Sequence, residues 1–548
     1  MLYQLWLLQQ LLVWAVPWLA ATATSVGADK TAVYAKDLLN QSMAFMDRNY
    51  DPVAGYQFNL NTALLHETRS SAWYAVGLLA RNEKDDADHA AKILSNIIGG
   101  QYHNTSEQWY GDYEVYPEGP YPGTEAYPAV IYNSWDPNWR GFIGTAFIII
   151  VEEFGHRLPH SLVDRVVKSI HLSALGDTYR VGGVDDDNLY PAYSNAAIMK
   201  AAVAGWVGRR VGDKNLTAEG ESWGGEIIDL FNRNQTLSEF NGPTYLGVSL
   251  LALTFWAKYL PSDSVLGANG ARMIREIWDL TGQLYNADMK NIAGPWDRSY
   301  SYDMQRALAI AGLWIWSFVG LEDAPMYRVP SAMAHVDDFE IGPLISVLAP
   351  YHRQFVGEKT MEAFRTFGEE HFVRRQAFSP PYDACPRNIT TWMSANLTIG
   401  AENFEENVVG GPSVNPAQFN PAVVQWLRRD GSAGFVTLFP EVEALKAVVT
   451  EGRLNLTYPF GNETSQFTLH VSPNPLGGRR DVRSWDDVAG VKVNVSGSVD
   501  LTPTVSFCGV VGGECDPVND FDLWNFTYSM PAGSTKLPNL ILDIEWAE

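Results

Sequence analysis

The run Phe142-Ile143-Gly144-Thr145-Ala146-Phe147-Ile148-Ile149-Ile150-Val151 decides the fold class. It is apolar on every face of a helix, and such a helix belongs inside a layered helical assembly, not on a surface. Outward from it, apolar residues recur at helical spacing from about residue 30 to 345. Helices are expected over Thr31–Met46, Ser70–Ala80, Ala87–Ile98, Gly141–Phe154, Ala196–Val211, Val248–Leu260, Gly267–Leu280 and Met304–Val319. Aromatic loops rich in Gly, Pro and Asn separate them. Helices joined alternately by short turns and long loops predict an α/α toroid, with the loops gathered over one central cavity.

After Pro380 the pattern changes to period two. Arg453–Tyr458, Gln466–Val471, Val491–Val495 and Leu540–Ile544 alternate apolar and polar between Gly, Pro and Asn turns, the mark of half-buried antiparallel strands. The chain therefore reads as an α+β multidomain protein, helical first and then antiparallel β. The expected divisions are a leader over 1–24, a catalytic toroid over 25–345, a linker over 346–380 and a β domain over 381–548. A length of 548 residues suits two cores better than one.

Leu5 to Ala21 is an apolar run ending in small residues, which reads as a secretory leader, with a membrane anchor as the alternative. Asn-x-Ser/Thr sequons begin at Asn40, Asn104, Asn215, Asn234, Asn388, Asn396, Asn455, Asn462, Asn494 and Asn525 and predict a glycoprotein of the secretory pathway. No stable membrane insertion is expected once the leader is removed. A net charge of −24 argues against nucleic acid and anionic membranes as partners. Of the three cysteines, Cys508 and Cys515 can close a short loop and leave Cys385 free, although spacing does not decide the pairing. Zinc-binding, nucleotide-binding and serine-hydrolase motifs are absent from the sequence.

Four polar aromatic loops each precede an apolar helix. They are Trp135-Asp136-Pro137-Asn138-Trp139-Arg140, Asp185 to Asn195, Glu239 to Tyr245, and Lys290 to Asp303. Polar groups crowded at the mouth of a buried helix are costly to desolvate unless paired, so they point to a ligand site. In the fourth loop, Lys290 and Arg298 suit a diphosphate or a uronate carboxylate, and Tyr300 and Tyr302 suit proton transfer. The structural alternative pairs Asp297 with Arg298 and lets Ser301 or Asp303 cap the helix. Trp109, Trp135, Trp139 and Trp296 can stack on sugar faces or face a carbocation. Tyr193, Asn195, Asn241, Tyr245 and Asn286 complete the substrate-binding candidates. Asp185, Asp186, Asp187 and Asn188 carry the oxygen ligands that Mg²⁺ prefers, and Asp187 and Asn188 are taken as its ligands. Glu239 is a candidate carboxylate, but a glycosidase needs a pair.

The strings SEFNGPTY (Ser238 to Tyr245) and MKNIAGPWDRSYSYDM (Met289 to Met304) resemble proteins with the toroid-plus-β-sheet architecture of polysaccharide lyases. Within that group the chain is similar to the fungal humulene-type terpene cyclases of tropolone sesquiterpenoid pathways. The resemblance implies a carbon–oxygen lyase acting on a prenyl diphosphate in secondary metabolism, with Mg²⁺ and an essential lysine that maps to Lys290. Four residues earlier, where those cyclases carry an aliphatic or Met side chain that shapes the product, this chain has Asn286, whose amide can quench a carbocation. The reading from a different class is a secreted polysaccharide lyase or glycoside hydrolase acting on a uronate-containing glycan. There Asn241 and Arg298 would neutralise the carboxylate and Tyr300 or Tyr302 would take the C5 proton. A toroid that binds a ligand without turning it over is the third.

Overall fold

Fourteen of the sixteen residues of the helix Trp139–Phe154 are buried, as its apolar circumference requires. In the computed structural model, which describes residues 30–547 apart from 63, 185–186, 301, 327–328, 406–417, 440–443, 473–480 and 509–522, a first helix α1 covers 30–46. The others are α2 (Thr68–Arg81), α3 (Asp86–Gly99), α4 (Trp139–Phe154), α5 (His160–Asp177), α6 (Ser194–Val211), α7 (Lys214–Asn234), α8 (Pro243–Tyr259), α9 (Val265–Leu284), α10 (Ile310–Val319), α11 (Gly342–His352) and α12 (Glu358–Ala363). The expected leader lies outside the described residues.

Two kinds of helix alternate. The inner helices α2, α4, α6, α8 and α10 are buried on most sides, and α10 buries all ten of its residues. The outer helices α3, α5, α7 and α9 bury a stripe, as α9 does with Leu266, Met273, Ile274, Ile277 and Trp278. Each inner helix packs on the next, α10 packs on α11, and α11 returns to α2, closing the ring. This is the expected toroid. The closing helix α11 runs across the expected boundary at 345 into the segment expected as linker, and its Leu344, Ile345 and Leu348 are fully buried in the helical core.

Local chemistry sets the helix ends. Asp213 accepts from the amides of Asn215 and Leu216 to cap α7, Ser264 caps α9, and Pro243 stands in the first turn of α8, where its missing N–H costs nothing. Helix α7 escaped the periodicity because its stripe is broken by glycines. Gly220 lies against α6, where a Cβ would come within 2.6 Å of the Gly205 nitrogen, so the glycine permits the close approach. The helix expected from Met304 begins only at Ile310. Before it, Leu308 donates to the Ala334 carbonyl and Ala334 to that of Arg306, which holds the chain extended.

Short hairpin strands β1 (Tyr50–Asp51), β2 (Tyr56–Phe58), β3 (His66–Glu67), β4 (Tyr285–Asn286) and β5 (Asn291–Ile292) decorate the toroid. The C-terminal part is a twelve-stranded sheet: β6 (His371–Ala377), β7 (Arg387–Met393), β8 (Leu397–Glu405), β9 (Ala422–Leu427), β10 (Ala433–Phe439), β11 (Ala444–Thr450), β12 (Arg453–Thr457), β13 (Gln466–Ser472), β14 (Val491–Gly497), β15 (Thr504–Cys508), β16 (Leu523–Ser529) and β17 (Asn539–Trp546). The order is β14-β17-β12-β11-β8-β9-β10-β13-β16-β15, with β6 and β7 branching from β8. Neighbours run antiparallel, as in β13 with β16 and β12 with β17. One apolar cluster gathers Leu456, Leu540 and Leu542 with Leu469, Val471 and Phe526, so the sheet curls over its own core.

One sequence expectation changes here. Asn525 is buried in β16 opposite His470, so its sequon is closed to a glycan, whereas Asn40, Asn104, Asn215, Asn388, Asn462 and Asn494 are exposed. Cys508 is disulfide-bonded and Cys385 is a free, exposed thiol; Cys515 lies outside the described residues. Among the described residues no helix is long and apolar enough to cross a membrane.

Asp112 is completely buried in the loop before α4. Burial pushes its carboxyl up to about 8, against the opposing pull of Arg140 and the Tyr113 amide. It keeps its proton in the fold, while an unfolded Asp releases it near pH 4. Its contribution to stability is therefore full at acidic pH and is lost as pH rises through about 8. Asp112→Asn, which imitates the protonated acid, is expected to flatten the decline of the melting temperature between pH 5 and 8. Parallel melting curves for the two proteins across that range would count against the assignment.

Candidate active site

The inner helices begin at the same end of the toroid, so the loops that precede them converge. Three of the four polar loops meet at Arg298. Its Nη1 donates to the Tyr193 hydroxyl at 3.0 Å and to Glu239 Oε1 at 3.3 Å, and its Nη2 donates to the Tyr300 hydroxyl at 2.9 Å. Its Nε donates to Gln418 Oε1 at 3.2 Å, and the guanidinium lies 3.7 Å over the Tyr245 ring. The Tyr245 and Tyr300 hydroxyls are 2.9 Å apart. Glu239 Oε2 accepts from the Asn195 amide side chain at 2.7 Å and from its backbone N–H at 3.2 Å. Tyr193, Asn195, Tyr245, Arg298 and Tyr300 are thus one hydrogen-bonded cluster.

Burial pushes the Tyr245 phenol well above the usual phenol range, with Arg298 opposing. Tyr193 is raised for the same reason. Both keep their protons near neutrality. Tyr300 is half-buried, and its hydroxyl is within hydrogen-bond reach of both Arg298 Nη2 and the Tyr245 hydroxyl.

The first loop joins through electrostatics. Asp136 feels Arg69, Arg180 and Arg298, although burial is what chiefly raises its carboxyl. Arg69, at the start of α2, packs its guanidinium 4.5 Å from the Trp139 ring and feels Tyr245. Trp135 packs with Trp109, ring centroids 5.9 Å apart, and borders a cavity of about 80 Å³ shared with Arg180 and Asp187.

Other predicted residues lie elsewhere. Asn241 sits at φ +54° and donates to the Ala293 and Pro295 carbonyls at 2.7 and 3.0 Å, so both amide hydrogens order the fourth loop. Asn286 is fully buried and donates to the Ser394 and Ala395 carbonyls; it ties the β4–β5 hairpin to the β domain. Trp296 and Tyr302 stack on each other at 5.9 Å and bury against Phe435 of β10. Lys290 stands in the β4–β5 turn at φ +49°, donating to the Glu322 carbonyl.

The alternative pairing of Asp297 with Arg298 gives way to two separate ion pairs. Arg298 faces Glu239, while Asp297, fully buried, receives Arg387 Nη2 at 2.7 Å. Arg387 Nε also meets Asp383 at 2.9 Å and its Nη1 meets Glu402 at 3.0 Å. Asp303 accepts from the Gln305 amide and stands seven residues before the first residue of α10, so it does not cap that helix; Ser301 lies outside the described residues.

The residues taken as Mg²⁺ ligands do not fit that ion. Asp187 receives Arg180 Nε at 3.0 Å and Nη2 at 2.8 Å, so its charge is already neutralised by a bidentate fork, and the Asn188 oxygen accepts from Tyr132. Asp185 and Asp186 lie outside the described residues. Among the described residues, no group of three or more His, Cys, Asp or Glu has the arrangement to hold a metal ion.

Sequence reading missed Arg69, Gln418 and Arg387, because the contacts that bring them to the site, with Trp139, Arg298 and Asp297, join residues far apart along the chain. Gln418 comes from the connection between β8 and β9, and its carbonyl accepts from the Ser299 amide at 2.9 Å. The β domain therefore completes the site.

A family model described as "Domain of unknown function (DUF8769)" matches residues 36–350, more than half of the chain. The chain belongs to that family. Its DUF8769 span holds the inner helices and the Arg298 cluster, and a second model, "Domain of unknown function (DUF8770)", matches residues 369–545, the β domain that supplies Gln418. No curated protein matches the chain. Among solved structures, a crystal structure of heparinase III is similar at 9% identity and a TM-score of 0.34, over 87% of this chain and 76% of that one. A heparinase III gene product is similar at 10% identity and a TM-score of 0.26, over 94% and 83%. Likeness at that level carries nothing about the chemistry of the DUF8769 site.

Proposed function

We propose that the Arg298 cluster catalyses β-elimination on a uronate-containing polysaccharide. The observation that carries this reading is the hydrogen-bonded chain Arg298–Tyr300–Tyr245 at the mouth of the toroid. Tyr300, as the general base, removes the proton from the carbon next to the uronate carboxylate. The freed pair forms the C4–C5 double bond, the C4–O bond breaks, and the leaving oxygen takes the proton of the Tyr245 hydroxyl. The 2.9 Å contact between the phenols then lets Tyr300 pass the proton it has taken to Tyr245, which returns both phenols to their starting states. Arg298 uses four of its five N–H groups on Tyr193, Glu239, Tyr300 and Gln418; the fifth is the donor for the uronate carboxylate, with Arg69, whose Nη2 lies 3.5 Å from Glu67 Oε1, adding positive charge. The inner helix N-termini add positive field at the same end. A hydrolase is less well served, because Glu239 is bonded on both oxygens and is not a free acid.

Lys290 and Asp187, which a prenyl diphosphate cyclase would need, do not join the cluster, so the glycan reading is preferred. The surface sequons support it, since a glycan substrate suits a secreted protein. The test is incubation of purified protein with a panel of uronate polymers, reading the absorbance of the unsaturated uronate product, with farnesyl diphosphate and Mg²⁺ in a parallel arm read for hydrocarbon. A rising absorbance on one polymer is expected. Silence across the panel, or hydrocarbon release in the parallel arm, would overturn the reading.

A further inference from the structure

Away from the toroid mouth, the outer helices α7 and α9 meet strands β6 and β7 in a cleft of about 1020 Å³. Four guanidiniums line it, from Arg233, Arg272, Arg374 and Arg375, against the carboxylates of Glu276 and Asp279. That excess of two positive charges stands out in a chain of net charge −24.

The arginines are not equivalent. Arg272 is occupied, facing Glu276 at 3.2 Å and donating to Asn232 and Asn269. Arg375 donates to the Arg374 carbonyl at 2.8 Å and reaches Gln283 at 3.4 Å. Arg233 and Arg374 are exposed, and among the described residues neither has a carboxylate in ion-pair range. Each is laid on a phenyl ring instead, Arg233 at 5.5 Å from Phe378 and Arg374 at 4.8 Å from Phe372. Stacking restrains a guanidinium and leaves its N–H edge to solvent. Between the arginines the lining is mainly side-chain amide, from Asn232, Asn234, Gln235, Gln283, Gln376 and Asn388.

We infer that this cleft is a second binding site, separate from the catalytic cluster, for an anionic oligosaccharide. Arginine forks match carboxylate or sulfate groups in pairs, and amides supply both donors and acceptors for ring hydroxyls. Among the described residues no aromatic ring lines the cleft for base stacking, which disfavours single-stranded nucleic acid. The inference stands on the charge and lining of the cleft and does not depend on the proposed elimination.

Asn234 and Asn388 both line the cleft and begin sequons, so the test uses the full chain carrying Asn234→Gln and Asn388→Gln, which keep the amides and exclude a glycan. Tyr300→Phe is added to prevent turnover. The probe is a uronate hexasaccharide, titrated calorimetrically against a neutral hexasaccharide and an acidic peptide of equal charge. Binding of the uronate probe is expected to weaken with added salt. Arg233→Ala/Arg374→Ala is expected to weaken it by about tenfold or more and to remove one bound hexasaccharide per chain. Both side chains are exposed and make no ion pair, so an unchanged melting temperature serves as the folding control. Glu276→Gln, which removes an acid and releases Arg272, is expected to tighten binding. Equal binding of the neutral hexasaccharide, preference for the acidic peptide, or an arginine variant that binds as before would overturn the inference. Loss of cleft binding with no product from any uronate polymer would leave this site standing and sink the proposed elimination instead.

Discussion

Tyr300→Phe is expected to lower uronate elimination by about 10²- to 10⁴-fold, the usual contribution of a positioned general base, while binding of the polymer and the melting temperature stay close to their starting values. The hydroxyl is the one atom lost. It is the meeting point of the Arg298 Nη2 and Tyr245 hydroxyl contacts, each at 2.9 Å. The ring can remain in its packing against His335, with centroids 5.2 Å apart, so the variant isolates proton transfer from architecture. Tyr302→Phe is the matched control. Tyr302 stacks on Trp296 at the junction with the β domain, and its replacement is expected to leave turnover unchanged. The informative measurement is the pair of kcat values with KM for each. If Tyr302→Phe is inactive and Tyr300→Phe is not, the acid–base assignment is wrong.

Arg387→Ala is expected to have the largest effect on stability, about 3–5 kcal/mol, the cost of leaving buried charge uncompensated. Arg387, Asp297, Asp383 and Glu402 all have side chains with no exposure. Burial raises the carboxyls of Asp297 and Glu402, with Arg387 opposing the rise. Removing Arg387 removes that opposition, and both carboxyls then hold their protons still more tightly in the fold. An acid whose folded pKa is raised stabilises at low pH and loses that contribution as pH rises through its folded value. The deficit of Arg387→Ala against the parent should therefore widen from pH 5 to pH 8 in thermal unfolding. A constant or narrowing gap would show that the cluster is not holding these charges. Asp297 also accepts from the Phe240 amide at 2.8 Å, so the same variant loosens two loops of the catalytic cluster, and turnover should fall before the protein unfolds.

Much of the cluster was legible because chemistry was crowded in short loops. Arg298, Tyr300, Tyr193, Asn195 and Tyr245 each stood just ahead of an apolar helix, and a toroid brings such positions together. Trp296, Tyr302 and Asn286 looked the same in sequence, yet they serve the interface with the β domain, and Asn241 ties the third loop to the fourth. Nothing local separates the two groups, because the difference lies in which strand packs above them. Thr391 donates to the Gly294 carbonyl at 2.8 Å, and Gly400 leaves room there: a Cβ would come within 1.8 Å of that oxygen. Lys290 was drawn in by adjacency, but the tight β4–β5 turn aims it at Glu322. Asp187 was read as a free ligand because Arg180, seven residues earlier, lay on the other side of a turn.

The sequence by itself determined the helical ring, the following antiparallel sheet and the loops where polar groups would gather, because periodicity records which faces are buried. The ring's closure by α11, the arrival of Gln418 beside Arg298 and the burial of Arg387 among three carboxylates were decided only by the tertiary structure. Each depends on residues brought together from distant parts of the chain. Packing fixes such meetings, and no local pattern carries a record of them.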